Sequence, residues 1–122
     1  MILVDASVWV DHLRRGEPDL IDALDSGLVL MHPFVLGELA CGNLKRRTDV
    51  LSLMSTLPQA AMATDNEALE FIDRRRLMGR GIGYIDVHLL ASALLMGTSK
   101  LWTRDQRLSA VADDLALSFE KS

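Results

Sequence analysis

Four carboxylates in this sequence have no neighbour that explains them. Asp5 ends the apolar opening run Ile2-Leu3-Val4, where a charge is expensive unless something compensates it. Glu38 lies in a helical pattern whose residues three and four positions away are Phe34, Val35, Cys41 and Gly42, none of them basic. Asp86 interrupts the most apolar stretch of the chain, with Ile82, Gly83, Leu89 and Leu90 at the same offsets. Asp105 follows the run Lys100-Leu101-Trp102-Thr103. The other acids have ordinary settings. Lys45 precedes Asp49, Arg74 follows Glu70 and Arg76 follows Asp73 at helix-face spacing. Glu17, Asp19 and Asp22 sit in or near a polar first turn, where the helix dipole favours acids.

If the four unexplained acids converge, their chemistry is constrained. Two carboxylates ~4 Å apart repel by about 4 kcal/mol at an effective dielectric of about 20. Such a group must take up protons or a cation. Oxygen ligands alone, without Cys or His, suit Mg²⁺ or Mn²⁺. Magnesium held by a few carboxylates beside a substrate phosphate is the arrangement of a phosphodiester nuclease. Local readings stand beside this one. Asp5 and Asp105 can each be a helix N-cap, and Asp86 a first-turn acid. Glu38 has no comparable structural excuse.

The elements that would position these residues alternate along the chain. The pattern predicts strands at 2–4, 28–31, 100–103 and 117–119, with a further short one at 59–63. Helices are expected over 8–15, closed by Gly16, over 18–25, stopped by Ser26-Gly27, and over 34–41, with Pro33 at the first helical position. Others are expected over 47–57, from a Thr64–Glu67 capping box to about Met78, over 84–96 and over 105–113. The 84–96 helix is apolar nearly all round and so should be buried. This alternation implies a parallel sheet with helices on both faces. Function in such folds lies outside the carboxyl ends of the strands. Asp5 and Asp105 fall at that edge, and Asp86 joins them if its helix starts there. Glu38 reaches in from its own helix.

At these residues the sequence resembles the PIN-domain family, and within it the VapC-type ribonuclease toxins of bacterial toxin–antitoxin pairs. The matching segments are Ile2-Leu3-Val4-Asp5-Ala6-Ser7-Val8-Trp9, Leu36-Gly37-Glu38-Leu39, Gly83-Tyr84-Ile85-Asp86-Val87-His88-Leu89-Leu90-Ala91-Ser92-Ala93 and Leu101-Trp102-Thr103-Arg104-Asp105. They run in family order over essentially the whole chain. The resemblance implies one PIN-like nuclease domain over 1–122, a three-layer α/β/α fold around a mostly parallel sheet of four to five strands. It also implies Mg²⁺- or Mn²⁺-dependent cleavage of RNA. By the family pattern Asp5, Glu38 and Asp86 are the central acids and Asp105 the more variable fourth. Ser7 and Thr103 match hydroxyl positions beside the site. A homodimer held by a cognate VapB-like antitoxin, in a higher assembly, is implied as well. On this reading Asp5, Asp86 and Asp105 hold the metal, Glu38 is a ligand or a water-positioning base, and Ser7 and Thr103 orient the carboxylates or waters.

Other conspicuous residues have plainer readings. His88 follows Asp86 by two positions, about 200° around a helix, and should face away from the cluster. Cys41 reads as a small packed side chain, and Trp9 and Trp102 as core. Three basic groups, Arg14-Arg15, Lys45-Arg46-Arg47 and Arg74-Arg75-Arg76 with Arg80, are solvated faces or contacts for phosphate or an acidic antitoxin segment. Arg104 and Arg107, flanking Asp105, are the best placed to touch substrate.

Composition narrows the remaining classes. The 122 residues, 49% hydrophobic, suit one domain with a real core. No apolar run reaches the ~20 residues of a membrane helix, and the N-terminus does not read as a signal peptide. A single cysteine excludes an internal disulfide and a Cys-rich zinc site, and makes a reducing cytoplasm the expectation. A formal charge of −4 argues at first sight against a nucleic-acid enzyme. Setting the four unexplained acids aside from the 17 acidic residues, however, leaves as many acids as the 13 basic residues. A phosphorylatable receiver domain is a rival, but Ala6-Ser7 replace its adjacent acids and Lys100 begins its strand instead of ending it. A non-catalytic PIN-like interaction module is a second, and a flap-type DNA nuclease, for which the chain is short, a third.

Overall fold

A computed structural model describes residues 1–120. Three buried apolar runs form a parallel sheet: β1 (Ile2–Val4), β2 (Val29–Leu30) and β3 (Lys100–Trp102), in the order β2-β1-β3. Leu3 pairs with Leu30 on one side and Leu101 on the other, and Val4 lies opposite Trp102. Near-continuous hydrophobicity is what a strand covered on both faces requires.

The expected four to five strands become three, flanked by two single bridges. Met31 bridges Gln59 and Leu101 bridges Ser118, both in parallel sense. In each case the backbone bonds close on a single residue: Met31 N–H to Pro58 O and Ala60 N–H to Met31 O, both 2.8 Å. Leu101 N–H to Leu117 O and Phe119 N–H to Leu101 O do the same on the far edge. Pro58, lacking an N–H, cannot extend the first ladder.

The helices are α1 (Ala6–Arg15), α2 (Pro18–Asp25), α3 (Pro33–Cys41), α4 (Arg47–Ser55), α5 (Asp65–Arg75), α6 (Tyr84–Leu95) and α7 (Gln106–Asp114). Sequence placed all seven, and their ends differ for local reasons. Helix α1 begins two residues early because Asp5 already takes the extended N-cap conformation. Helix α5 stops at Arg75 because Arg76 turns left-handed at φ 53°. That turn takes Arg76 out of register, and no ion pair joins it to Asp73 among the described residues, whereas Glu70–Arg74 forms at 2.6 Å. Asp49 pairs with Arg46 at 3.5 Å, not with Lys45.

Connections between parallel strands are right-handed. With β1 central, this places α1 and α2 on one face and α6, which packs on β3, on the other. Helix α3 packs on α1 and α4, and α5 on α6. Leu3, Val4, Val8, Leu89 and Leu108 are fully buried within one continuous cluster. The consequence for function is directional. Helices α1, α3 and α7 start where β1, β2 and β3 end. Helix α6 leads back into β3 through a turn at Gly97, whose φ of 72° favours glycine, so its start lies at the same edge.

The capping box of α5 is present in both arms: Glu67 N–H donates to Thr64 Oγ1 at 3.1 Å, and Thr64 N–H to the Glu67 carboxylate at 2.9 Å. Thr64→Ala should lower unfolding free energy by about 1 kcal/mol, readable as a shifted urea midpoint at unchanged slope.

Candidate active site

Asp5 is the most enclosed of the four acids, 7% exposed. It stands at the N-cap position of α1, yet its side chain makes no capping bond. Instead Oδ2 accepts from Ser7 Oγ at 2.7 Å and from Thr103 Oγ1 at 2.9 Å. Two hydroxyl donors offset the desolvation of a buried charge. Ser7 reaches it from the first turn of α1. Thr103 reaches it because β3 lies beside β1, with Asp5 N–H donating to Trp102 O at 2.9 Å.

Asp105 does cap a helix. Its Oδ1 accepts from Arg107 N–H at 2.9 Å and Leu108 N–H at 3.0 Å, and its own N–H donates to Thr103 Oγ1 at 3.1 Å. Asp86 lies in the first turn of α6, where Oδ2 accepts from Gly83 N–H at 3.0 Å. Glycine has no side chain to return that bond, so only half of a capping box exists. Glu38 forms no hydrogen bond or ion pair among the described residues.

The four acids feel one another. Partial burial, and then the charges of Asp5 and Asp86, push the Glu38 carboxyl above the ordinary carboxylate range, although the residue as a whole keeps solvent contact. Burial raises Asp86 as well; the Gly83 N–H bond opposes this, and the charges of Asp5 and Asp105 add to it. Asp5 therefore lies near both Glu38 and Asp86, and Asp105 near Asp86. Among the described residues no three His, Cys, Asp or Glu side chains form a ready-made ligand group. An all-oxygen, mutually repelling set with few donors still fits a hard divalent cation that keeps several of its waters.

A family model for the PIN domain matches residues 2–114. The chain belongs to the PIN-domain family. It is also 45% identical, over 124 aligned positions and 100% of both chains, to Ribonuclease VapC32 from two strains of Mycobacterium tuberculosis, CDC 1551 / Oshkosh and ATCC 25618 / H37Rv.

Around the acids of this PIN domain, the two flanking arginines differ. Arg107 is exposed and lies across Gly81, so closely that a Cβ there would stand 2.7 Å from its Cδ. Arg104 is held by two acids: its Nε lies 2.6 Å from Asp11 Oδ2 and its terminal nitrogen 2.5 Å from Glu17 Oε2. Asp11 and Glu17 could not be picked out as partners from local pattern, because both look like ordinary helix acids and the contacts span 93 and 87 positions. His88 is buried, its ring edge-on to Phe34 at 5.0 Å and Tyr84 at 4.7 Å. Trp9 and Trp102 are core, the latter against Phe119 at 4.9 Å. Cys41 corrects an expectation: it ends α3 on the exposed side and is not packed. No helix among the described residues is long and apolar enough to cross a membrane.

The raised pKa values of Glu38 and Asp86 mean that the folded chain holds their protons more tightly than the unfolded chain does. Their favourable contribution is complete below the ordinary carboxylate range and is lost as pH rises through the raised values. Glu38→Gln should therefore raise the Tm of metal-free protein at about pH 7, with the gap to wild type closing toward about pH 4. Calorimetry in EDTA measures this, and a variant melting below wild type at neutral pH would contradict the repulsion.

Proposed function

We propose that this chain is a metal-dependent endoribonuclease of the VapC type, one PIN-like domain over 1–122 that hydrolyses RNA phosphodiester bonds. The observation that carries the proposal is the buried Asp5 carboxylate, held by the hydroxyls of Ser7 and Thr103 with Glu38 and Asp86 close enough to feel its charge. Full-length similarity to a protein named as a ribonuclease supports it.

In this reading Asp5, Asp86 and Asp105 would hold Mg²⁺ or Mn²⁺. The cation supplies positive charge beside the scissile phosphate and lowers the pKa of nearby water. The chain's own residues do the rest. Ser7 and Thr103 both donate to one oxygen of Asp5 and so fix the orientation of its carboxylate. Glu38, with no hydrogen bond of its own, accepts the proton of the attacking water at a carboxylate oxygen. Water oxygen bonds to phosphorus, the P–O bond to the leaving ribose oxygen breaks, and that oxygen takes a proton from solvent water, to which Glu38 returns the one it accepted. Arg107, exposed beside Asp105, is the phosphate contact on the rim.

The same similarity supports the biological setting: a cytoplasmic toxin, homodimeric, restrained by a VapB-like antitoxin in a higher assembly.

Asp5→Ala and Asp86→Ala, each folded by circular dichroism, should cut RNA more than ~100-fold more slowly than wild type, beyond the upper end of what losing an outer ligand partner costs. EDTA should abolish cleavage and Mg²⁺ or Mn²⁺ restore it. Gel mapping of total cellular RNA reads both. A folded wild type that binds RNA or antitoxin but never cuts, with either metal, would identify a non-catalytic PIN-like module instead.

A further inference from the structure

Arg104 stands between the two residues that tie β3 to the site, and neither its backbone nor its side chain is idle. Its N–H donates to Ser7 Oγ at 3.0 Å. Ser7 Oγ accepts that bond on a lone pair and donates its single proton to Asp5 Oδ2. On one side, Thr103 donates to the same Asp5 oxygen. On the other, Asp105 N–H closes back on Thr103 Oγ1. The 103–105 turn thus fixes both hydroxyls that hold Asp5.

The side chain anchors that turn. It is 33% exposed and binds through its guanidinium to Asp11 on α1 and Glu17 at the N-cap of α2, whose side chains are 24% and 15% exposed. Two acids on one guanidinium leave it no surplus positive charge for a phosphate. Contact with RNA would require breaking short, charge-assisted bonds that a planar fork makes well. Asp11 is fixed in turn by Arg15, 3.3 Å from its other oxygen.

We propose that Arg104, clamped by Asp11 and Glu17, is a positioning residue that holds the Thr103–Asp105 turn and hence the Asp5 carboxylate in place, and that it is not a substrate contact. This rests on the function proposed above. It places the determinants of metal binding partly in the α1–α2 corner, away from the acids themselves.

The test compares Arg104→Ala, Arg104→Lys and the double variant Asp11→Asn/Glu17→Gln. Mn²⁺ affinity is measured by calorimetry without RNA. RNA affinity is measured against salt in EDTA, and kcat and KM with metal. In Arg104→Ala, Mn²⁺ affinity and kcat should each fall about 10-fold, while KM and the salt slope of RNA binding stay as in wild type. The double variant should lose metal affinity in the same direction, although its arginine is released. Arg104→Lys should recover only part, because an ammonium cannot fork between two carboxylates. The strut is overturned if Arg104→Ala keeps wild-type Mn²⁺ affinity while its salt slope flattens by about 0.7, the loss of one single-strand phosphate contact. It is equally overturned if the double variant binds RNA more tightly at unchanged kcat. A wild type that neither binds Mn²⁺ nor cuts RNA overturns the proposed function, and the positioning role with it.

Discussion

Negative charge gathered at one edge of a parallel sheet is the constraint on which the rest of this molecule depends. Asp5 is buried at the end of the central strand, and only hydrogen-bond donors or a cation make that tolerable. The donors are Ser7, two residues on, and Thr103, just past the end of the neighbouring strand and 98 positions away. Pairing β1 with β3 is therefore more than a packing arrangement. It supplies the second hydroxyl and, through the same turn, Asp105.

Capping and catalysis share residues here. Asp5, Asp86 and Asp105 all sit at an N-cap or in a first helical turn. Amide dipoles at helix starts favour negative charge, so three helices converging on the edge lower the cost of assembling acids there. Asp105 shows the division most plainly, with one oxygen on the Arg107 and Leu108 amides and the other uncommitted. Glu38 lies outside this scheme. It is six residues into α3, beyond the reach of the first turn's dipole, and its carboxyl is raised by burial and by the charges of Asp5 and Asp86.

Charge balance elsewhere follows the same economy. Arg15, Arg46, Arg74, Arg80 and Arg104 each pair with an acid. The net charge of −4 is thus concentrated in effect at the site, and a bound divalent cation would offset much of it. Arg107, drawn over Gly81, is an exposed basic side chain two residues from Asp105.

What the sequence determined by itself is whatever depends on short-range order. Apolar runs located β1, β2 and β3, caps and breakers located seven helices, and the Thr64–Glu67 box was legible to the residue. Asp5, Glu38 and Asp86 stood out because no basic residue lay at helix-face spacing from them, and parallel topology assigned Asp5 and Asp105 to one edge, with Asp86 conditional on the direction of its helix and Glu38 reaching in from its own. The strand count was less legible, since an isolated bridge such as Met31–Gln59 needs only one residue in register and leaves no periodicity. Tertiary structure alone decided which oxygen each acid keeps uncommitted, that the hydroxyls of Ser7 and Thr103 meet on Asp5, that Cys41 faces outward, and that Arg104 binds Asp11 and Glu17. The physical reason is common to all of these. A side chain's partner across 87 or 98 positions is set by how the backbone closes in space, and no local pattern of residue types encodes it.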